Sequence, residues 1–125
     1  MTAQGSPYAR FRRALERRQP TAALSAAAEL QHVPLADALE LLLLLRDRDP
    51  ARYTRAALRW HARYCREVPC VSLNEAAAVL ALLSALADAD GGAPRALAEL
   101  FHGRELDQPA RILIQWADGE RHELP

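Results

Sequence analysis

Apolar positions along the chain fall into blocks with helical spacing, and capping residues and prolines separate one block from the next. Ser6-Pro7 opens a first helix, "YARFRRALERR", that must stop near Pro20. Thr21 is placed to cap a short second helix, "AALSAAAEL", ending before Val33-Pro34. A third, "LADALELLLLLRD", runs to about Asp47. Asp49-Pro50 repeats the cap-plus-proline signature and starts a fourth, "ARYTRAALRWHARYCR", which Pro69 ends. Ser72 with Glu75 forms a capping box before a fifth, "LNEAAAVLALLSALAD", that reaches to Gly91-Gly92. Pro94 starts a sixth, "RALAELFHG". In the tail, Asp107 and Pro109 favour a seventh helix with Gly119 past its end. The alternative is a hairpin turn at Asp118-Gly119, between "RILIQW" and "ERHEL".

One internal echo organises these blocks. "VPLADALELLLLL" (33–45) and "VSLNEAAAVLALL" (71–83) align without gaps at an offset of 38 residues, and each copy is followed by another helix. The unit is therefore a helical hairpin, with the first two helices as a degenerate third copy. The expected fold is all-α, with six or seven helices packed as helical hairpins. A compact bundle and a short solenoid-like array both satisfy that pattern. Residues 1–5 are expected to be disordered, residues 6–104 to form the helical domain, and residues 105–125 to pack on it as a short helix.

The third and fifth helices are the expected centre. The third is apolar nearly all round, apart from a narrow stripe of Asp37, Glu40 and Asp47. Leu44 falls within that stripe, so it is either covered by another element or offered to a partner. The fifth has a large face (Leu73, Val79, Leu80, Leu83, Leu86) and a small one (Ala77, Ala78, Ala81, Ser84, Ala85). The small face would let a neighbouring helix approach closely.

Composition agrees with helix: half the residues are hydrophobic, mostly Ala and Leu, which lose little side-chain freedom there. All sixteen cations among Lys and Arg are arginine, balanced by sixteen acids. That choice is explained more simply by GC-rich coding than by function. The balance is uneven along the chain. Residues 1–66 carry twelve arginines and six acids, and residues 67–125 carry four and ten. Such a split can steer an acidic partner or let the halves attract each other. Two cysteines, Cys65 and Cys70, are too few for a disulfide framework and suit a reducing cytosol. The start "MTAQGSPYARFRR" lacks an apolar signal core, and the longest apolar run, Leu41–Leu45, is far short of a membrane span. A cytoplasmic protein with no membrane contact is expected.

The fourth helix carries the most distinctive pattern. Arg52, Arg55, Arg59, Arg63 and Arg66 fall within an arc of about 80° at 100° per residue, with no acid among them. Tyr53, Ala57, Trp60 and Tyr64 share another face. On the first helix Arg10, Arg13 and Arg17 form a shorter stripe opposite Tyr8, Phe11 and Leu15. An arginine stripe can grip phosphates or carboxylates. It is also what a lysine-free helix uses as its wet face, and the net charge of zero argues against a dedicated polyanion binder.

Three other patterns carry less. "SAAAELQHVPLADALELL" (25–42) resembles a helix-turn-helix in outline, but its second helix offers leucines and acids where a groove-reading helix needs donors. His61 and Cys65 share a helix face with Cys70 just beyond, a set that lacks a fourth zinc ligand. Glycine-rich phosphate loops, nucleophile elbows and H-E-x-x-H helices are missing from the sequence.

The stretch "ALELLLLLRDRDPARYTRAALRWHARY" resembles small all-helical proteins encoded in high-GC actinobacterial genomes, over roughly residues 8–90. The resemblance implies an all-α cytoplasmic protein and transfers no functional residue. The expected role is a non-catalytic interaction module without cofactor. It would bind another macromolecule through the basic face of the first and fourth helices, with Leu44 as a further contact. A protein partner is expected first and a nucleic acid second, and a homo-oligomer is left open.

Overall fold

The computed structural model describes residues 5–88 and 91–123, with side chains up to residue 119. The segment expected to be disordered, residues 1–5, lies outside the described residues except for Gly5. Among the described residues the chain is all-α and strand-free. Its helices are α1 (Pro7–Glu16), α2 (Pro20–Ala28), α3 (Leu35–Arg48), α4 (Tyr53–Glu67), α5 (Leu73–Ala87), α6 (Ala93–Gly103) and α7 (Asp107–Glu123). A single 3-10 turn, Pro50–Arg52, leads into α4.

Most helix starts follow the sequence. Ser6 accepts a hydrogen bond from the Ala9 amide at 3.1 Å, and Ser72 accepts one from Glu75 at 3.1 Å. Glu75 does not complete the capping box, because its carboxylate is taken by Tyr64 and Arg104. Three expectations are corrected. Thr21 lies inside α2, which begins one residue earlier at Pro20, since proline's fixed φ suits the first turn. Asp49 caps nothing; it pairs with Arg52 at 3.3 Å, and the chain passes through the 3-10 turn before α4. Gly119 does not end α7, which continues to Glu123, so the tail is neither a hairpin nor a helix stopped at Asp118.

The repeat is visible in three dimensions: α3 begins at Leu35 and α5 at Leu73, each leading into a partner helix. The units do not stack as an open solenoid. Neighbouring helices pack in order from α3 to α7, and α7 then returns to pack on α3, closing a bundle. The main core, filled by Leu39, Leu42, Trp60, Tyr64, Val79, Leu83, Leu97, Phe101 and Leu113, lies inside that ring. A second, smaller core lies on the other side of α3, where α1 and α2 cover Leu44 with Phe11, Ala14, Leu15, Ala23 and Ala26. A helix between two cores has little surface left to solvent, which is why α3 is apolar nearly all round.

The acidic stripe of α3 is the seam that fastens α1. Asp37, almost wholly buried, accepts bonds from Tyr8 at 2.9 Å and Arg12 at 3.2 Å. Arg12 also reaches Glu40 at 3.1 Å, and Arg18 reaches Asp47 at 2.8 Å. Arg10 thus pairs with Glu29 just past α2, and Arg12 and Arg18 with acids of α3, not with the acidic second half of the chain.

On α5, Val79, Leu83 and Leu86 are buried as expected, but Leu73 is 90% exposed. Ala77, Ala81 and Ser84 also face outward, so the close helix approach expected at the small face does not occur.

Candidate functional site

The aromatic side of α4 is core. Tyr53, Ala57, Trp60 and Tyr64 are all buried, and Trp60, Tyr64 and Phe101 form a cluster with ring centroids 5.5–5.8 Å apart. Each polar tip is fixed inside. The Tyr53 hydroxyl donates to the Leu83 carbonyl at 2.7 Å, and the Trp60 indole donates to the Leu35 carbonyl at 3.0 Å. The Tyr64 hydroxyl donates to Glu75 at 2.6 Å. Burial pushes Tyr53 up to about 12 and raises Tyr64 further, with the Glu75 carboxylate adding to the shift. These rings cannot serve as stacking platforms.

Fixing that face inward turns the arginines outward. Arg52, Arg55, Arg59 and Arg66 are exposed and Arg63 is half-buried. The first four of the stripe, Arg52 through Arg63, line two adjoining depressions of about 400 and 220 Å³ between α2 and α4. Leu24, Leu45, Ala56 and Arg59 belong to both, so the two form one groove. α3 supplies its floor through Ala38, Leu41, Leu42 and Leu45, and Leu24 of α2 forms the opposite wall. No acid lines either depression.

The four arginines are not equivalent. Arg52 pairs with Asp49 at one end of the groove. At the other end Arg63 donates to the Val33 carbonyl at 2.7 Å and pairs with Glu67 at 2.7 Å, and its hydrogen bond holds the Glu67 carboxyl below its ordinary range. Arg55 and Arg59, in the middle, form no hydrogen bond or ion pair with any described residue. They are four apart on one helix, where like charges repel by a few tenths of a kcal/mol. Arg66 lines neither depression.

The α1 stripe lies elsewhere. Arg10, Arg13 and Arg17 line a separate groove with Ala22, Ser25 and Ala26 of α2. Those α2 residues share one side of the helix, and Leu24 projects from the side opposite. α2 therefore divides the two stripes, and the single basic face expected from helices one and four does not form. Arg10 is held by Glu29 in a two-pronged pair at 2.8 and 3.0 Å.

Leu44 is corrected outright. It is 4% exposed beneath α1 and α2, so no partner can reach it. The helix-turn-helix outline fails for a related reason: α3, the would-be recognition helix, is the buried centre of the fold. His61 and Cys65 do meet, with Sγ 3.8 Å from Nε2. The same Nε2 lies 2.7 Å from the Ala76 carbonyl, to which it must donate, so the ring nitrogen beside Cys65 has no lone pair for a metal. No group of three or more ligand side chains is gathered among the described residues. Nor is any described helix long and apolar enough to cross a membrane.

The sequence reading missed the floor and far wall of the groove. One signal could have found Leu24: it is the lone large residue within the alanine-rich run of α2. No family model, curated protein or solved structure matches this chain.

Proposed function

We propose that this chain is a small non-catalytic interaction module that binds another macromolecule through the arginine wall of α4. One observation carries the reading. Arg55 and Arg59 stand side by side over an apolar groove, without a counter-charge among the described residues. No acid lines the groove to offset that charge, whereas Arg12 across the α1–α3 seam is met by Asp37 and Glu40. Arginine's planar fork suits carboxylate or phosphate equally, so the wall selects an acidic partner by charge.

A nucleic-acid reading rests on the same arginines, whose spacing along three turns can follow a phosphate backbone. The test is fluorescence anisotropy with poly-glutamate and with short DNA and RNA, in low and physiological salt, for the native chain and for R55E/R59E. Binding of at least one polyanion that the double substitution abolishes supports the module. A steep loss with salt for nucleic acid alone selects the second reading. No binding by any probe overturns both.

A further inference from the structure

Resting on that reading of the α4 wall, we infer that the groove between α2 and α4 receives an acidic amphipathic helix of a partner protein. The argument begins with the floor. Half-buried Leu41 on the floor and half-buried Leu24 on the α2 wall present hydrocarbon to the groove, Leu45 closes it from beneath, and the adjacent Trp60 ring is 3% exposed with its N–H already used. A nucleotide strand entering here would set sugars and phosphates against leucine and find no exposed ring to stack on. Apolar side chains of a peptide would bury against the same surface favourably.

The wall then fixes the rest of the occupant. Arg55 and Arg59 lack partners among the described residues, while the arginines at the groove ends are paired, Arg52 with Asp49 and Arg63 with Glu67. The vacant positive charge is therefore central and lies on one side of the groove. A docked helix meets both features when leucine-like residues recur every three to four positions and glutamates flank that stripe on one side. From Arg52 to Arg63 the wall spans about 16 Å, the rise of about three helical turns, so a short segment suffices. Each carboxylate set against Arg55 or Arg59 also relieves the repulsion between them.

The experiment uses the full chain labelled with nitrogen-15. A synthetic helical peptide with a leucine stripe and one glutamate flank is titrated to millimolar concentration. Its sequence-scrambled counterpart, poly-glutamate and a short single-stranded DNA are run beside it. The expected result is that the amphipathic peptide alone moves the amide signals around Leu41, Leu45 and Ala56. R55E/R59E and, separately, L24E should each weaken it at least tenfold, with circular dichroism unchanged. Equal binding of the scrambled peptide and the amphipathic one, insensitive to L24E, overturns the helix-in-groove assignment while leaving the basic interaction surface standing. DNA binding in the groove with no response to the peptide also overturns it, in favour of the nucleic-acid reading. No response to any probe overturns this assignment and the reading beneath it together.

Discussion

Trp116 on α7 donates its indole N–H to Asp47 at the end of α3, 2.9 Å away and 69 residues earlier in the chain. The same carboxylate receives Arg18 at 2.8 Å, just past α1, and Arg46 at 3.3 Å on its own helix. Arg46 also lies over the Trp116 ring, 5.3 Å from its centre. One side chain thus ties the α1–α2 pair and the last helix to the central one. Replacing it by alanine strands a half-buried guanidinium and an indole donor, so D47A should lower unfolding free energy by about 2–3 kcal/mol. W116F removes one of these bonds and weakens the ring contact, and should lower it by about 1 kcal/mol. Urea denaturation of both variants checks the ranking, and a loss no larger for D47A than for W116F would contradict a shared anchor.

Leu44 and Leu73 make an opposed pair, because the sequence leaves Leu44 open to solvent or core and puts Leu73 on the large apolar face of α5. Leu44 is enclosed by Phe11, Leu15 and Ala26, and Leu73 is 90% exposed. L44A should therefore destabilise by about 2–4 kcal/mol through lost burial and the cavity left behind. L73A should change stability by less than ~0.5 kcal/mol. Equal effects in chemical denaturation would mean that α1 and α2 do not cover α3.

What could be read from the residues alone divides along a physical line. Helix positions were legible because caps, prolines and 3.6-residue spacing are local, as at Ser6-Pro7 and Ser72. The buried status of α3 was legible because an apolar circumference has no other use. What α3's acids do was not legible. Helical spacing groups Arg10, Arg13 and Arg17 into a stripe, whereas Arg12 and Arg18 reach Asp37, Glu40 and Asp47. Which arginine meets which acid depends on how α1 crosses α3, and that angle is written in no single helix. The groove escaped for the same reason. Its walls come from α2 and α4, its floor from α3, and periodicity within one element cannot show a space between three.

Tyrosine burial gives the protein an alkaline limit. Tyr53 is pushed up to about 12 by burial, Tyr64 is raised by burial and Glu75, and Tyr8 is raised by its bond to Asp37. In the unfolded chain these groups titrate near 10.0, so between that pH and 12 the folded state holds more protons than the unfolded one. The stabilisation is complete below pH 10 and falls as pH rises through the folded value, by about 2–3 kcal/mol for Tyr53 alone. Absorbance at the tyrosinate band should lag behind free tyrosine and then rise together with the loss of helical circular dichroism. Ordinary titration of all three tyrosines in a still-folded protein would rule this out.

The arginine wall makes a prediction about stability that is independent of any ligand. Were the stripe a set of internal counter-ions, reversing any of its charges would cost the fold. The structure separates the members. Arg59 has Arg55 and Arg63 four residues away on either side and no acid within reach. Its replacement by glutamate converts two repulsive spacings into two attractive ones, each a few tenths of a kcal/mol. R59E should hold or raise the melting temperature, with the gain shrinking as salt screens the new pairs. Arg63 behaves in the opposite sense. It bonds the Val33 carbonyl and Glu67, so R63E loses both contacts and sets two carboxylates four residues apart. A loss of about 1–2 kcal/mol is expected. Thermal melts of the two single variants at low and high salt decide the matter. A melting temperature lowered equally by R59E and R63E would show that Arg59 is held by the fold, and that the middle of the wall is not vacant for a partner.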